Sequence, residues 1–239
     1  MELIDSYLHC GLSKYLPVED VEATMDAAGV SRAVMVQHLG EYDNGYIAGL
    51  VEARPDRFAG VCLVDHQDAG AIRHLEVLIA DGPFRGVRLT SKVLREAPEV
   101  FGAAAEAGAV IVFYAPEGIS GSVDALGDFL QSYPACRLVV THLGNPRAED
   151  SPEFPGHSGL FRLADYSGVY LQLSGMEMFC PYPHDPLYPL IEAAAGSFGP
   201  ERLLWGSNYP VVGGVAEYRR ELDLLLERQL PLPGEAIPA

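Results

Sequence analysis

Eight short apolar runs recur along the chain, at 3–9, 33–38, 58–64, 86–91, 110–115, 138–143, 169–174 and 203–207. Each is bounded by Gly, Pro or Asp and many are β-branched, the pattern of strands buried on both faces of a parallel sheet. Helix-compatible segments lie between them, among others at 18–28, 69–80, 98–107, 123–132 and 216–228. Pro17 sits at the start of the first of these, and Gly29 and Gly108 follow two helix ends, where a left-handed cap is needed. A strand–helix unit every ~30 residues is βαβ spacing. No GxGxxG loop follows the first run, so a dinucleotide-binding open sheet is disfavoured. The sequence therefore predicts a single (β/α)8 TIM barrel over residues 1–230, followed by a Pro-rich C-terminal tail, 231–239.

Composition narrows the partners. Of 239 residues, 33 are Asp or Glu and only 16 are Lys or Arg, a net charge of −17. A field of that sign repels phosphate backbones and anionic lipid, so neither nucleic acid nor a membrane is an expected partner. Cys10, Cys62, Cys136 and Cys180 form no CxxC pair and read as reduced core residues. The start of the chain has no basic, then apolar, leader pattern, and no run is long enough to span a bilayer. The expectation is a cytoplasmic protein acting on a small molecule. A homodimer is allowed if outer helix faces such as 222–226 are not fully used in packing on the barrel.

A barrel carries its chemistry at the C-terminal ends of its strands. Period-two alternation places Tyr7 and His9 at the first such end, on one face with Asp5. The following strand ends offer Gln37 and His38; Asp65 and His66; Arg88 and Thr90; Tyr114; Thr141 and His142; Gln172 and Ser174, with Glu177 just beyond; and Ser207, Asn208 and Tyr209. Four histidines, His9, His38, His66 and His142, thus fall on one rim, which favours an active site over four independent structural roles. His74, His157 and His184 are left with structural or solvent roles. Arg88 is the candidate anchor for an anionic substrate, since a guanidinium holds a carboxylate bidentately. An ion pair with Asp5 or Asp65 is the competing role. Tyr7 and Tyr114 can donate to a developing oxyanion or simply fill the core. Cys10 and Cys62 lack neighbours that would activate a thiol. Two Pro-rich stretches, 145–158 and 176–185, follow strands six and seven, where a connection forms either a substrate wall or an ordinary surface loop.

The segments Ile4-Asp5-Ser6-Tyr7-Leu8-His9-Cys10-Gly11, Gly86-Val87-Arg88-Leu89, Thr141-His142-Leu143-Gly144 and Arg202-Leu203-Leu204-Trp205-Gly206-Ser207-Asn208-Tyr209-Pro210 resemble the amidohydrolase superfamily. The resemblance is to the amidohydrolase-related branch of aminocarboxymuconate-semialdehyde decarboxylase and 2-pyrone-4,6-dicarboxylate lactonase, and it covers nearly the whole chain. It implies the same barrel. It also implies a metal-binding set that this sequence keeps only at His9 and His142. Tyr7 stands in place of the first His, Tyr114 in place of the strand-five His, and Asn208 in place of the strand-eight acid.

Catalytic zinc needs about three protein ligands and an open position. The expectation is therefore no catalytic metal and no other cofactor. A relocated zinc site of His9 and His142 with His38 or His66 is the alternative. The resemblance favours hydrolysis of a lactone or other cyclic acyl bond in a small polar or carboxylated molecule. His9 and His142 would be the acid/base pair, Tyr114 and Asn208 would bond the reacting oxygen, and Tyr7, Arg88, His38, His66 and Glu177 would bind substrate. A lyase or cyclase that uses no attacking water is the first alternative. A barrel that binds a ligand without turning it over is the second.

Overall fold

A computed structural model describes residues 2–232 of the chain. Eight parallel strands form one sheet in the order of the sequence: β1 Ile4–Leu8, β2 Arg32–Val36, β3 Phe58–Cys62, β4 Phe84–Thr90, β5 Val110–Tyr114, β6 Leu138–Val140, β7 Val169–Leu173 and β8 Leu203–Trp205. Beyond the last strand the sheet closes on the first. Leu8 bridges Tyr209, His9 N–H donates to Tyr209 O (2.8 Å), and Asn208 N–H donates to Tyr7 O (2.9 Å). The eight sequence runs all become strands, and the fold is the (β/α)8 barrel. Most of the tail read from the sequence, residues 233–239, lies outside the described residues.

Helices α1 Val18–Ala28, α2 Gly45–Ala53, α3 Ala71–Glu76, α4 Ser91–Glu96, α5 Pro98–Glu106, α6 Val123–Ser132, α7 Tyr188–Phe198 and α8 Val215–Leu226 surround the strands. α1 shows why the local sequence suffices. Pro17 precedes it, Glu19 and Asp20 meet the positive end of its dipole, and Gly29 closes it at φ 77°. In α6, Val123, Leu126 and Leu130 lie on one stripe and are buried. Burying such side chains stabilises the packing by roughly 1.5–3 kcal/mol each.

Three features differ from a regular series of strand–helix units. β6 is followed by 3₁₀ turns at Ala148–Asp150, Pro155–His157 and Leu160–Asp165 instead of an α-helix, while two helices, α4 and α5, follow β4. The 69–80 segment forms α3 and then a π-helical turn, Val77–Asp81. Third, Asp5 does not share the face of Tyr7 and His9. Asp5 pairs with Ala33 and Leu8 with Met35, so three steps along β1 match two along β2. This β-bulge breaks the alternation. Tyr7 joins Val36, Val61 and Val112 in a cluster inside the barrel, whereas Asp5 turns to α8 and accepts the Tyr218 hydroxyl at Oδ2 (3.0 Å). Asp5 Oδ1 accepts Tyr7 N–H (3.0 Å) and Ser207 N–H (2.9 Å), which ties β1 to the end of β8. Burial raises the Asp5 carboxyl to about 6 against the pull of these donors.

All four cysteines are buried and unpaired, as expected of core residues. Burial pushes the Cys10 and Cys62 thiols up to about 12, which leaves them inert as nucleophiles. Among the described residues no helix is long and apolar enough to cross a membrane.

Candidate active site

The strand ends bring Tyr7, His9, His142, Arg88 and Tyr114 together. The Tyr7 ring lies edge-on to His9 (centroids 5.1 Å apart) and to His142 (4.8 Å), and Tyr114 is edge-on to His142 (5.6 Å). The Arg88 guanidinium sits over both tyrosines, 5.7 Å from the Tyr7 ring centre and 5.1 Å from that of Tyr114. His38 joins the group through Tyr15, whose ring stacks on His9 (4.8 Å, 7° between planes) and meets His38 edge-on (5.3 Å). Tyr15 was not among the sequence candidates because it lies in the β1–α1 connection, six residues past His9, beyond any strand end. His66 goes elsewhere. Its Nε2 pairs with Glu96 on α4 (3.3 Å), and it makes no ring contact with the other histidines. A cavity of about 600 Å³, lined by Tyr42, Asn44, Asp65, His74 and Leu78 among others, lies between α2 and α3 outside the barrel. Convergence of buried polar groups, not volume, marks the rim as the candidate site.

Hydrogen bonds fix which nitrogen of each imidazole carries the proton. His9 Nδ1 lies 2.6 Å from Val36 O, and a carbonyl only accepts, so Nδ1 donates and Nε2 keeps its lone pair. His142 follows from a longer chain. The Ser6 hydroxyl donates to Trp205 O (2.6 Å), so Ser6 Oγ accepts from Gln172 Nε2 (2.8 Å). Gln172 Nε2 also donates to Ser6 O (3.2 Å), which sets the amide's orientation and turns Oε1 to the Ser174 hydroxyl (3.2 Å). Ser174 Oγ, donating there, accepts from His142 Nδ1 (2.8 Å). His142 Nε2 is therefore also a free lone pair. Gly175 permits this placement, because a Cβ there would stand 2.7 Å from His142 Nδ1, at φ +62°. The backbone leaves β6 through a left-handed run, with φ of 52° at His142 and 53° at Leu143. Such strain, about 1–3 kcal/mol per residue, is characteristic of functional sites.

Arg88 dominates the electrostatics. It is 6% exposed, and its Nη1 donates to Gln37 O (3.2 Å). It forms no ion pair among the described residues, since Asp5 is engaged with Tyr218, Tyr7 and Ser207. Its Nε and the Tyr7 hydroxyl are both buried without a hydrogen-bond partner. A buried cation and orphaned donors cost several kcal/mol unless a ligand supplies the acceptor. Burial first, and Arg88 second, hold His142 down at about 3 and His9 well below the usual imidazole value. Both rings are therefore neutral in the resting site. Burial raises the Tyr7 phenol to about 12, so it remains a donor.

At the closing edge, Asn208 (φ 55°) donates from Nδ2 to Glu177 Oε1 (2.9 Å). Behind them lies a buried pair that the sequence reading missed. His184 Nε2 is 2.9 and 3.1 Å from the two Glu221 oxygens, its Nδ1 is 2.9 Å from Cys180 O, and both side chains are nearly inaccessible. This pair pins the β7–α7 connection to α8. His157 is likewise structural, with Nε2 against Gly144 O (3.2 Å), and His74 is exposed.

The donor set does not fit a catalytic metal. Two imidazoles, His9 and His142, offer an Nε2 lone pair each, but the further positions carry phenols and an amide, and the Arg88 guanidinium would repel a second cation. Among the described residues no three His, Cys, Asp or Glu side chains are placed to hold a metal ion.

A barrel with paired histidines and a buried arginine at its C-terminal rim is an enzyme architecture. A family model described as amidohydrolase matches residues 10–238, and the chain belongs to that family as an amidohydrolase-related hydrolase. It is similar to the L-fucono-1,5-lactonase of Burkholderia ambifaria, 28% identical over 206 residues that make up 81% of this chain and 69% of the lactonase. A Pseudomonas putida structure described as a 2-pyrone-4,6-dicarboxylic acid hydrolase shares the fold with a TM-score of 0.76 at 23% identity, over 93% of this chain and 89% of that one. The 5-carboxyvanillate decarboxylase of Sphingomonas paucimobilis does so with a TM-score of 0.62 at 17% identity, over 91% and 79%.

Proposed function

We propose that the protein opens the lactone ring of a small hydroxylated or carboxylated acid by adding water, without a metal. The observation that carries this reading is the buried Arg88, with no ion-pair partner among the described residues and an unbonded Nε, close enough to act electrostatically on two imidazoles that each bond through Nδ1. A lactone carbonyl is neutral, and its tetrahedral intermediate and product carboxylate are both anionic. A fixed cation with orphaned donors binds the later states better than the first, which is the condition for catalysis. Arg88 and the Tyr7 hydroxyl are the donors to that oxygen. As negative charge forms there, it cancels the Arg88 field at His142, whose Nε2 regains basicity. His142 then moves the proton of the new hydroxyl to the departing ring oxygen, while His9, bonded through Nδ1, keeps a second Nε2 lone pair at the rim. The Tyr114 ring packs on the guanidinium and shields it. The likeness to a lactonase supports the bond type, and the arginine supports an acyl group that becomes a carboxylate.

The reading is tested by supplying aldono-1,5-lactones and carboxylated pyrone lactones and titrating released acid at constant pH. One proton released per ring opened is the expected result. Carbon dioxide from an aromatic carboxylic acid, with no lactone opened, would instead favour the lyase alternative, in which Arg88 holds the carboxylate that leaves. Binding of the lactones without turnover would make the barrel a receptor.

A further inference from the structure

Adding water to a lactone strips two protons from it. One ends on the ring oxygen; the other must be taken as the water attacks. In the resting site neither imidazole suits that first removal, because burial and Arg88 hold both below their ordinary range. Tyr7 stays protonated, and Cys10 and Cys62 are inert. The carboxylate tied to the same edge of the barrel as Tyr7 and His142 is Glu177.

Its position is set from two sides. Asn208, whose backbone N–H is bonded to Tyr7 O, holds Glu177 Oε1 at 2.9 Å. Gly175, two residues earlier, packs directly on the His142 ring. Asn208 engages Oε1, the backbone N–H of Glu177 itself also donates to the carboxylate, and a carboxylate has lone pairs left to accept a further proton. An amide can orient a carboxylate in this way but cannot itself take a proton at neutral pH. We propose that Glu177 is the general base that takes the first proton from the attacking water, with Asn208 as its positioning residue; this rests on the lactonase reading.

The step balances. The water O–H bond breaks, its proton goes to Glu177 Oε2, and the water oxygen bonds to the acyl carbon as the carbonyl pair moves onto the oxygen facing Arg88. His142 carries the second proton to the ring oxygen as the C–O bond breaks. Glu177, half-buried at the rim, then releases its proton to solvent. Burial holds its carboxyl above the usual carboxylate range, which makes it a stronger base than an exposed glutamate. The charged groups facing it are Glu221 on α8, which raises it further, and His184 on its own connection, which opposes that.

Glu177→Gln should lower kcat on the best lactone by about 10²–10⁴-fold, with KM little changed. The fall of kcat/KM at acid pH, which in the native protein reports protonation of Glu177, should vanish. The swap Glu177→Gln/Asn208→Asp moves the carboxylate to the other side of the same hydrogen bond and should recover at least ~10-fold of the loss. If Glu177→Gln fails to fold, Glu177→Asp carries the test, with a slower rate and the acidic limb retained. An active native protein with an equally active Glu177→Gln, or a Glu177→Gln loss with the acidic limb intact and no recovery in the swap, overturns this assignment alone. A native protein that opens no lactone overturns the lactonase reading and takes the assignment with it.

Discussion

Arg88→Met should abolish most of the catalytic power, lowering kcat/KM for lactone opening by about 10³-fold. Removing one donor to a developing oxyanion costs about 2.7–4 kcal/mol, and Arg88 supplies the site's fixed charge as well as its donor. Arg88→Lys keeps the charge as a single point without the planar fork and should fall between the two. The same substitution has a second readout independent of turnover. With the guanidinium gone, the His142 imidazole should titrate at a higher pH, though not at the value of a free histidine, since burial is the larger cause of its depression and remains. An Arg88→Met protein that works at the native rate, with His142 unmoved in an NMR titration, would show that the guanidinium does not govern the site.

His142→Asn should lower kcat by about 10²–10⁴-fold, because an amide can still meet Ser174 but carries no proton between two oxygens. It should also change how stability depends on pH. The folded-state value of His142, about 3, lies below its ordinary 6.5. Between those values the unfolded chain therefore binds more protons than the folded one. The stabilisation is complete above about 6.5 and is lost as pH falls toward 3. Between pH 7 and pH 4 the native protein should lose about 3 kcal/mol that His142→Asn does not lose. His9 shifts in the same direction and is present in both proteins, so the difference between denaturation curves isolates His142. Parallel curves would mean that His142 titrates normally and that the rim is wetter than described.

Much of this architecture is local, and local information is what a sequence displays. The turn of α1 with Pro17 before it and Gly29 after it needs only neighbouring residues, as does the apolar stripe of α6. That Tyr7, His9, Arg88, Tyr114 and His142 converge at one rim follows from their places at the ends of parallel strands. The misplaced residues share a different cause. Asp5 left the interior because one extra residue in β1 reverses the facing of everything before it, and nothing in Ile4-Asp5-Ser6-Tyr7-Leu8 displays that bulge. The His184–Glu221 pair and the relay from Trp205 through Ser6, Gln172 and Ser174 to His142 join residues far apart in the chain, and their pairing appears only once the barrel closes. His66 shows the converse. A strand-end position alone did not decide its role, because Glu96 on α4 offers the imidazole a nearer partner.

If Arg88 polarises the acyl oxygen at this rim as proposed, ring opening needs no metal. That is tested most directly by measuring acid release from the best lactone substrate with protein dialysed against a strong chelator, then with zinc or manganese restored, alongside elemental analysis of the same samples. The expected result is metal-free protein with an undiminished rate that added metal does not raise. Activity lost on chelation and regained with zinc would contradict it.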